Sequence, residues 1–422
     1  MKIKVLNTSL DKVMALSRPK RKTPKTPSWL FRAVLFVLSL PAVLKCRVKF
    51  QYHGMEKLDK SEPCMILMNH SCFLDLKIAA VLFAKRPFNI VCTSDGFIGK
   101  GWLMHQLGCI PTQKFVSDPA LVRDIRHALH KNRCSVLMYP EASYSFDGTA
   151  TPLPDSIGKL MKMMHVPLVT VITNGAFAHD PLYNGLQLRK VKVSADVTYL
   201  LSPAEIADMT PEQINDRLSE VFAFDNFAWQ AENNVKISEP FRADGLNRVL
   251  YKCPHCQTEG ELVGKGVTLH CKSCGVTYEL TENGKLSADN AVFTHVPDWY
   301  AWERQCVREE LEAGTYRLET AVDICAVVNY KAVYRVGSGT LLHDMDGFHL
   351  NGCDGLLDYH QSPLSSYGLY ADYFWYEIGD MICIGDKNCL YYCFPKDGTD
   401  IVAKTCLAAE ELYKMKKTAK VK

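Results

Sequence analysis

A histidine and an aspartate lie five positions apart, directly after the apolar run Met65–Met68. An imidazole accepts a proton from a hydroxyl group only in the correct tautomer, and a carboxylate on its far nitrogen fixes that tautomer. A short loop that leads into a helix would bring His70 and Asp75 side by side. The spacing therefore predicts a general base with its orienting partner, a pair that needs no serine nucleophile.

A second polar turn, Tyr139–Ser145, follows another apolar run, 135–138. Two strands that each end in an ionisable turn are typical of an α/β sheet, where functional groups collect at the carboxyl ends of the strands. We therefore expect this turn to meet the segment 69–75 at one edge of a sheet.

Four ordered blocks of this chain resemble those of the 1-acylglycerol-3-phosphate acyltransferase family, the PlsC-like lysophospholipid acyltransferases. That family carries Asn-His-x4-Asp, Gly-x-Ile-x3-Arg, a Phe-Pro-Glu-Gly-Thr-Arg type turn and a Val-Pro-x-x-Pro type strand. The corresponding segments here are 69–75, 108–114, 139–145 and 165–171. Four blocks in the correct order are far more specific than any one of them, and the resemblance covers roughly residues 30–230.

The resemblance implies transfer of a fatty acyl group from acyl-CoA or acyl carrier protein to the hydroxyl of a lysophospholipid. The best single acceptor is 1-acylglycerol-3-phosphate, which would give phosphatidic acid. His70 is then the general base and Asp75 its orienting residue. Glu141 would position the acceptor or its own loop, and backbone amides of that loop would stabilise the oxyanion. The residues expected to bind substrate are Asn69, Gly108, Lys114, Glu141, Ala142, Ser143 and Tyr144.

The chain departs from the family at the two arginines thought to hold the phosphate of the acceptor. Lys114 replaces the first, and Tyr144 replaces the second. Lysine still binds phosphate, although without the planar fork of arginine, whereas tyrosine brings no charge. A different lysolipid acceptor therefore stays open as an alternative.

The first 50 residues hold twelve Lys or Arg and one acidic residue, and the rest of the chain is acidic overall. The basic stretch 18–25 precedes Trp29 and the uncharged segment 33–44, which is too short to span a bilayer as a simple helix. This pattern favours an interfacial helix on anionic lipid, which would place the protein at the cytoplasmic face of a membrane as a peripheral or monotopic enzyme. A buried core helix, a signal peptide and a nucleic-acid-binding arm are the alternatives.

Two Cys-x2-Cys pairs lie fourteen residues apart and predict a zinc ribbon. Four thiolates complete a tetrahedron, so the one predicted Zn²⁺ would be structural. Its ligands would be Cys253, Cys256, Cys271 and Cys274. The other cysteines are scattered through apolar runs, as expected for reduced core residues in the cytosol. We expect no redox or nucleotide cofactor, and no nucleic-acid partner.

The fold class expected is α/β: a mostly parallel sheet flanked by helices, followed by the zinc ribbon and a β-rich domain. Short β-like runs from about residue 318 and a final helix predicted over 400–417 resemble a PH-like barrel. The strand at 190–201 is expected at a sheet edge. The predicted domains are a basic arm and membrane segment (1–47), an acyltransferase domain (48–230), the ribbon (246–290) and the β-rich domain (318–422).

Three other classes of function compete with this interpretation. A non-catalytic lipid-binding scaffold would use the ribbon and the β-rich domain, but it would have no need of His70, Asp75 and Glu141 together. A nucleic-acid-binding zinc protein would show salt-sensitive retention on nucleic acid. A hydrolase could use a serine such as Ser71, although no Gly-x-Ser-x-Gly elbow is present.

Overall fold

The computed structural model describes residues 3–116, 118–398 and 401–421. The described residues form a seven-stranded, a four-stranded and an eight-stranded sheet. In chain order, the first elements are β1 (Val5–Asn7), α1 (Leu10–Met14), α2 (Trp29–Lys45), β2 (Lys49–His53), β3 (Met65–Met68), α3 (Leu74–Leu82), β4 (Phe88–Thr93), α4 (Gly101–Gln106), β5 (Cys109–Thr112), α5 (Pro119–Arg126), β6 (Ser135–Met138), α6 (Ser156–Met164), β7 (Leu168–Asn174) and β8 (Ser194–Leu201).

The remaining elements are three short helices, followed by the strands and helices of the four-stranded and the eight-stranded sheet. They are α7 (Pro203–Asp208), α8 (Pro211–Val221), α9 (Asn226–Glu232), β9 (Leu262–Lys265), β10 (Thr268–Cys271), β11 (Thr277–Leu280), β12 (Leu286–Ser287), α10 (Val296–Glu312), β13 (Leu318–Val327), β14 (Val333–Asp344), β15 (Gly347–Gly352), β16 (Leu357–Gln361), β17 (Tyr370–Trp375), β18 (Gly379–Gly385), β19 (Leu390–Pro395) and α11 (Ile401–Val421). Asp400, where the last helix was predicted to begin, lies outside the described residues.

Local sequence signals fix where several helices begin. Asp118 caps α5 by accepting the N–H groups of Ala120 and Leu121, with proline at the first helical position. Both α7 and α8 start with a capping box followed by proline. These helices consequently begin where the sequence predicts.

The seven-stranded sheet has the order β2-β8-β7-β3-β6-β4-β5. The strands from β7 to β5 are parallel, whereas β8 pairs antiparallel with β7 and carries β2 at its outer side. The prediction of an edge strand at 190–201 is therefore wrong. β2 pairs with β8 and takes the outer position of the sheet, while Ala195 and Val197 of β8 are fully buried in the core beneath α2 and α3. The short edge strand β5, which contains Pro111, was missed.

Part of the predicted basic arm and membrane segment, 1–47, packs against the rest of the chain. Strand β1 pairs in parallel with β14 of the C-terminal sheet, and Leu10 and Val13 of α1 are buried in the same core. Arg21 forms ion pairs with Asp118 and Asp124. The basic segment thus connects the C-terminal sheet to the seven-stranded sheet.

Helix α2 extends further than the predicted uncharged segment and lies on α3. Ser39 and Val43 are buried, whereas Trp29, Val37 and Leu38 are among its most exposed side chains. Among the described helices, none is both long and apolar enough to cross a membrane.

The C-terminal sheet contains seven antiparallel strands in the order β16-β15-β14-β13-β19-β18-β17, with β1 attached to β14. Its end strands, β16 and β17, do not pair with each other in the described residues. The resemblance of this unit to a PH-like barrel stays a prediction. Helix α11 packs on α10, a helix that the sequence analysis did not predict. Side chains of the four-stranded sheet, α10, the C-terminal sheet and α11 share one apolar core.

The other face of the C-terminal sheet covers part of the seven-stranded unit. Ile98, from the turn after β4, is buried in one cluster with Tyr370 and Trp375 of β17, and Phe115 packs against that cluster. The segment after β5 is therefore enclosed between the two sheets. This contact brings residues of the C-terminal sheet to the predicted active site.

Candidate active site

The end of β3 is held by an asparagine that precedes the histidine. The side-chain amide of Asn69 donates to the carbonyl of Thr173 at 2.9 Å, and its oxygen accepts the Thr173 backbone N–H at 2.8 Å. Asn69 is fully buried. Both the NH₂ group and the oxygen of the Asn69 side chain therefore join the end of β3 to β7. Asn69 is thus a positioning residue rather than the expected substrate contact.

His70 and Asp75 come together as their spacing predicts. Nδ1 of His70 lies 3.3 Å from Oδ2 of Asp75. The same carboxylate oxygen accepts the backbone N–H groups of Ser71 and Cys72, at 2.7 and 3.0 Å. Asp75 is completely buried and held in place by these bonds, so it can fix the orientation of the imidazole. No described residue forms a hydrogen bond with Nε2 of His70.

Two tyrosine rings enclose the imidazole. Tyr139 stacks on His70 with ring centroids 3.8 Å apart, and the Tyr144 ring is tilted against it at 4.1 Å. Burial lowers the pKa of His70, although the carboxylate of Asp75 opposes this effect. A neutral imidazole with a free Nε2 is the form that can accept a proton from a substrate hydroxyl.

Glu141 connects the third block to the first. Its Oε2 accepts the backbone N–H of His70 at 2.8 Å, and its Oε1 accepts the N–H of Thr151 at 3.0 Å. Burial raises the pKa of Glu141 to about 8, while the two N–H donors act in the opposite direction. In this arrangement Glu141 supports its own loop and the backbone of His70, one of the two roles expected for it.

The turn after Glu141 does not lead into a helix, because α6 begins only at Ser156. Ala142 has a left-handed φ of 58°, at the position where the family carries glycine. Its N–H donates to the carbonyl of Tyr139 at 3.2 Å, so this amide is not available as the predicted oxyanion donor. Ser143 lines a cavity beside the site, together with Tyr144.

Lys114 lies beyond the carboxyl end of β5, between aromatic rings from the turn after β6 and from β17. Its Nζ is 4.1 Å from the ring centroid of Tyr370 and 5.9 Å from that of Tyr144. Burial lowers the pKa of Lys114, and the strongest attractive charge that opposes this effect is Asp372 of β17. The structure thus brings Lys114 near Tyr144, but beneath residues of the C-terminal sheet.

Gly108 lies at the opposite end of β5 from Lys114, so the structure does not bring it to the site. It has a φ of 75°, and a Cβ at this position would lie 2.6 Å from Pro27 and 2.9 Å from the Asn89 side chain. Gly108 is required for a close approach of backbone and side chains, and the expectation that it binds substrate is not supported by this position.

Several residues of the site were missed from the sequence. The hydroxyl of Thr173 lies 3.0 Å from Asn69 Oδ1 and 3.3 Å from Asp75 Oδ1. Asp95 accepts the hydroxyl of Tyr370 at 2.7 Å and the indole N–H of Trp375 at 3.2 Å. The polar end of the fourth-block strand could have indicated Thr173, whereas no sequence signal places β17 here.

A cavity of about 600 Å³ opens beside Tyr144 at the boundary of the two sheets. The seven-stranded unit contributes Glu141 and Tyr144, α10 contributes Tyr300 and Arg304, and the segment before β17 contributes Tyr367. Arg304 is paired with Glu410 and Glu411 of α11. The cavity is large enough for part of a lipid substrate.

The four predicted metal ligands form one cluster. The sulfur atoms of Cys253 and Cys274 are 3.7 Å apart, as are those of Cys256 and Cys271. A tetrahedral zinc site with Zn–S bonds of about 2.3 Å has sulfur–sulfur edges of roughly 3.8 Å. The cysteine cluster therefore fits the geometry of a zinc site made of four thiolates.

Comparison with known families assigns the segment that carries the four blocks. Residues 49–174 match the family model described as Acyltransferase. This chain contains an acyltransferase domain. All four blocks lie inside the matched segment, so the resemblance stated from the blocks is confirmed for that part of the chain.

A curated relative and a solved structure carry related names. The human 1-acyl-sn-glycerol-3-phosphate acyltransferase beta is 23% identical over 128 residues, covering 30% of this chain and 46% of that protein. This chain therefore spans about half of the relative's length. The crystal structure of the 1-acyl-sn-glycerophosphate (LPA) acyltransferase PlsC from Thermotoga maritima is 17% identical, covering 45% of this chain and 76% of that one. Its TM-score with this chain is 0.37.

Proposed function

We propose that this protein is an O-acyltransferase that moves a fatty acyl group from acyl-CoA or acyl carrier protein to the hydroxyl of a lysophospholipid. The observation that carries the proposal is the pairing of His70 Nδ1 with the buried Asp75 at 3.3 Å. The pair leaves Nε2 as a free proton acceptor inside an acyltransferase domain.

The reaction needs no covalent enzyme intermediate, because a thioester is already activated. Nε2 of His70 takes the proton of the acceptor hydroxyl as its oxygen attacks the thioester carbonyl. The C–S bond of the tetrahedral intermediate then breaks, and the thiolate takes the proton from the imidazolium. Asp75 stabilises the imidazolium between these steps, as the carboxylate of a catalytic triad does.

The first acceptor proposed is 1-acylglycerol-3-phosphate, which would yield phosphatidic acid. Lys114 is the cation available for its phosphate, and it lies near Tyr144 on the same side of the site as His70. The name of the human relative agrees with this acceptor.

A second acceptor class, a lysophospholipid with a headgroup, is favoured by the surroundings of Lys114. A phosphate monoester carries up to two negative charges near neutral pH, whereas a phosphodiester carries one. Asp372 already faces Lys114, and burial raises the pKa of Asp372 to about 7 while Lys114 opposes that rise. With Asp372 nearby, the single positive charge of Lys114 would compensate a second negative charge on the phosphate poorly.

The cavity beside Tyr144 suits such a headgroup. Its aromatic side chains include Phe115, Tyr300 and Tyr367, and Asp147 supplies a carboxylate beside the ion pair of Arg304 and Glu410. Aromatic faces and carboxylates together favour an ammonium group. The headgroup of a zwitterionic lysophospholipid has this chemistry.

We propose that the cluster of four cysteines holds one structural Zn²⁺. The sulfur–sulfur separations of 3.7 Å support a tetrahedral site closed by four thiolates. The metal would stabilise the ribbon and its packing against Trp299 of α10, which lies in the same apolar core as Leu269 and Tyr278.

Attachment to the cytoplasmic face of a membrane with anionic lipids is also proposed. Trp29, Val37 and Leu38 of α2 are strongly exposed, and so are Trp102 and Phe73. Phe73 lies in the catalytic loop, between His70 and Asp75. Exposed aromatic and aliphatic side chains beside the site, with lysines nearby in the chain, are suited to the interface of a bilayer.

The deciding experiment measures transfer from labelled acyl-CoA and from acyl carrier protein to a panel of lysophospholipids. We expect transfer by the full chain and its loss in His70→Ala. His53→Ala is the matched control, because that histidine is exposed and pairs with Asp196 away from the site. Absence of transfer to every acceptor by a folded, zinc-loaded protein would reject the enzyme and favour the lipid-binding scaffold. Release of fatty acid without any acceptor would favour a hydrolase.

A further inference from the structure

The rings of Tyr139 and Tyr144 cover both faces of the His70 imidazole, a contact that the mechanism above does not use. Their centroids lie 3.8 and 4.1 Å from that of the imidazole, with interplanar angles of 17° and 35°. Two rings this near to one face would overlap, so they lie on opposite faces. The imidazole is therefore open only at its edge, where Nδ1 is bound to Asp75 and Nε2 has no hydrogen-bond partner among the described residues.

The turn that carries both tyrosines is bound to the backbone of His70 itself. Oε2 of Glu141 accepts the His70 N–H at 2.8 Å, and the N–H of Ser145 donates to the His70 carbonyl at 3.0 Å. Tyr139 directly follows β6, the parallel neighbour of β3. Both rings consequently keep their positions relative to the imidazole, because one turn fixes them and the base together.

On the basis of the acyl transfer proposed above, we propose that Tyr139 and Tyr144 are positioning residues whose ring faces stabilise the imidazolium that His70 becomes during the reaction. The face of an aromatic ring carries a negative electrostatic potential, and it attracts a cation held against it most strongly where water is excluded. This attraction is larger for the imidazolium of the transition state than for the neutral imidazole of the resting site. The rings therefore favour transfer of the proton from the acceptor hydroxyl to Nε2.

The charged side chains around His70 leave a need for such uncharged stabilisation. Burial lowers the pKa of His70 and the charge of Lys114 lowers it further, whereas Asp75 raises it. Glu141, which is bound to the backbone of His70, has a pKa raised by burial to about 8. A tyrosine face stabilises the imidazolium without adding a charge, whereas an arginine in place of Tyr144 would set a second positive charge beside it.

The role belongs to the ring faces rather than to the hydroxyl groups. The Tyr139 hydroxyl is buried and has no hydrogen-bond partner among the described residues. Tyr139→Phe therefore removes no hydrogen bond and keeps the face against the imidazole. Leucine keeps the surroundings apolar but has no ring, so Tyr139→Leu and Tyr144→Leu each remove one face.

The test is the pH titration of the His70 imidazole, followed by NMR in the full chain with ¹³C-labelled histidine and without substrate. The His70 signal is assigned by its loss in His70→Ala. We expect the proton affinity of His70 to be unchanged in Tyr139→Phe and to fall about three- to tenfold in each leucine variant, so that it titrates at lower pH. His53, which is exposed and pairs with Asp196 away from the site, is the reference signal in every sample.

Because a leucine variant can fail to fold, phenylalanine with successively more ring fluorines is incorporated at position 144 as a second test. Fluorine withdraws negative potential from the ring face and barely changes the shape of the ring. A proton affinity of His70 that falls with each added fluorine supports the proposal. A titration that ignores fluorination, or that moves to higher pH when a ring is lost, overturns it, since the rings would then act only by packing or by excluding water.

The titration needs no substrate, so it separates this inference from the acyl transfer on which it rests. Where transfer is measured, the acid limb of kcat/KM should move to lower pH in the leucine variants, and the plateau kcat should fall roughly three- to tenfold. The titration of Glu141 lies above this limb and does not obscure it. A lower kcat with an unmoved acid limb would overturn the inference, whereas absence of transfer beside the expected titration would reject the proposed function alone.

Discussion

The backbone N–H of His70 donates to Oε2 of Glu141 at 2.8 Å, which joins the first and third sequence blocks directly. The other oxygen of Glu141 holds Thr151 at 3.0 Å, so one buried carboxyl group supports the loops on both sides of the site. Glu141 thus holds the backbone of His70, the proposed general base, and Glu141 is 1% exposed.

Replacing Glu141 by glutamine should destabilise the protein and misplace His70. A glutamine oxygen accepts one N–H, while its NH₂ group faces the other donor, and an unsatisfied buried group costs about 1–3 kcal/mol. We expect urea unfolding to detect a loss of this size, with a lower kcat for acyl transfer. Equal stability of Glu141→Gln and wild type would show that the second bond contributes nothing.

The same carboxyl group should make stability depend on pH. Its folded pKa of about 8 lies above the ordinary value of 4.5, so the folded state binds the proton more tightly than the unfolded state. Its contribution is complete below pH of about 4.5 and is lost as the pH rises towards about 8. Between pH of about 6 and 8, wild type should lose roughly 2–3 kcal/mol more than Glu141→Gln. Parallel pH profiles of the two proteins would contradict this prediction.

Asp75→Asn should reduce kcat for acyl transfer by about 10²–10⁴-fold without abolishing the fold. The amide preserves the size of the side chain but cannot stabilise the imidazolium that forms on His70. The measurement compares kcat with KM for the acceptor, because a loss of orientation lowers kcat, whereas a binding defect raises KM. Asp346→Asn, at an exposed position of the C-terminal sheet, is the control.

Asp372→Asn should move acceptor preference towards the phosphate monoester. Without this carboxylate, the positive charge of Lys114 is available to compensate the second negative charge of a phosphate monoester. We expect the ratio of kcat/KM for 1-acylglycerol-3-phosphate to that for a zwitterionic lysophospholipid to rise about tenfold, equivalent to ~1.4 kcal/mol. An unchanged ratio would show that Asp372 does not select the acceptor, even if transfer itself is confirmed.

Ala142→Gly should stabilise the protein. Left-handed backbone costs an alanine about 1–2 kcal/mol, whereas the extra freedom of glycine in the unfolded chain costs about 0.5–1 kcal/mol. A net gain of about 0.5–1 kcal/mol in the free energy of unfolding is expected from these terms. Ala150→Gly, at a nearby position without a positive φ, should instead lose stability.

The parts predicted from sequence are those in which a short motif determines its own geometry. His70 and Asp75 meet because they are five positions apart across one turn, and Cys253 and Cys256 cluster with their partners because each pair forms a compact loop. The location of β8 and the proximity of Lys114 to Asp372 depend on long-range packing. No local sequence pattern indicates that β2 pairs with the outer side of β8. None indicates that Asp372 of β17, 258 positions after Lys114, lies near Lys114.

Gly108 shows why a motif can be identified correctly and still be assigned the wrong role. The block 108–114 does occupy β5 and the segment that follows it. A parallel strand, however, separates its first residue from its last by the length of the sheet, so only Lys114 reaches the catalytic edge. The position of Gly108 in the same sequence block as Lys114 therefore does not imply that Gly108 contacts the substrate.

Loss of the ribbon metal should destabilise more than the ribbon, because the side chains of Leu269 and Tyr278 share a core with Trp299 and the C-terminal sheet. Cys271→Ser removes one of the four thiolates, and metal-binding free energy contributes directly to folding in such sites. We expect a fall in Tm on the order of 5 °C or more, followed by tryptophan fluorescence. Cys306→Ser should leave Tm unchanged. If Cys271→Ser melts like wild type, the ribbon does not depend on metal, and the shared core alone holds it against α10.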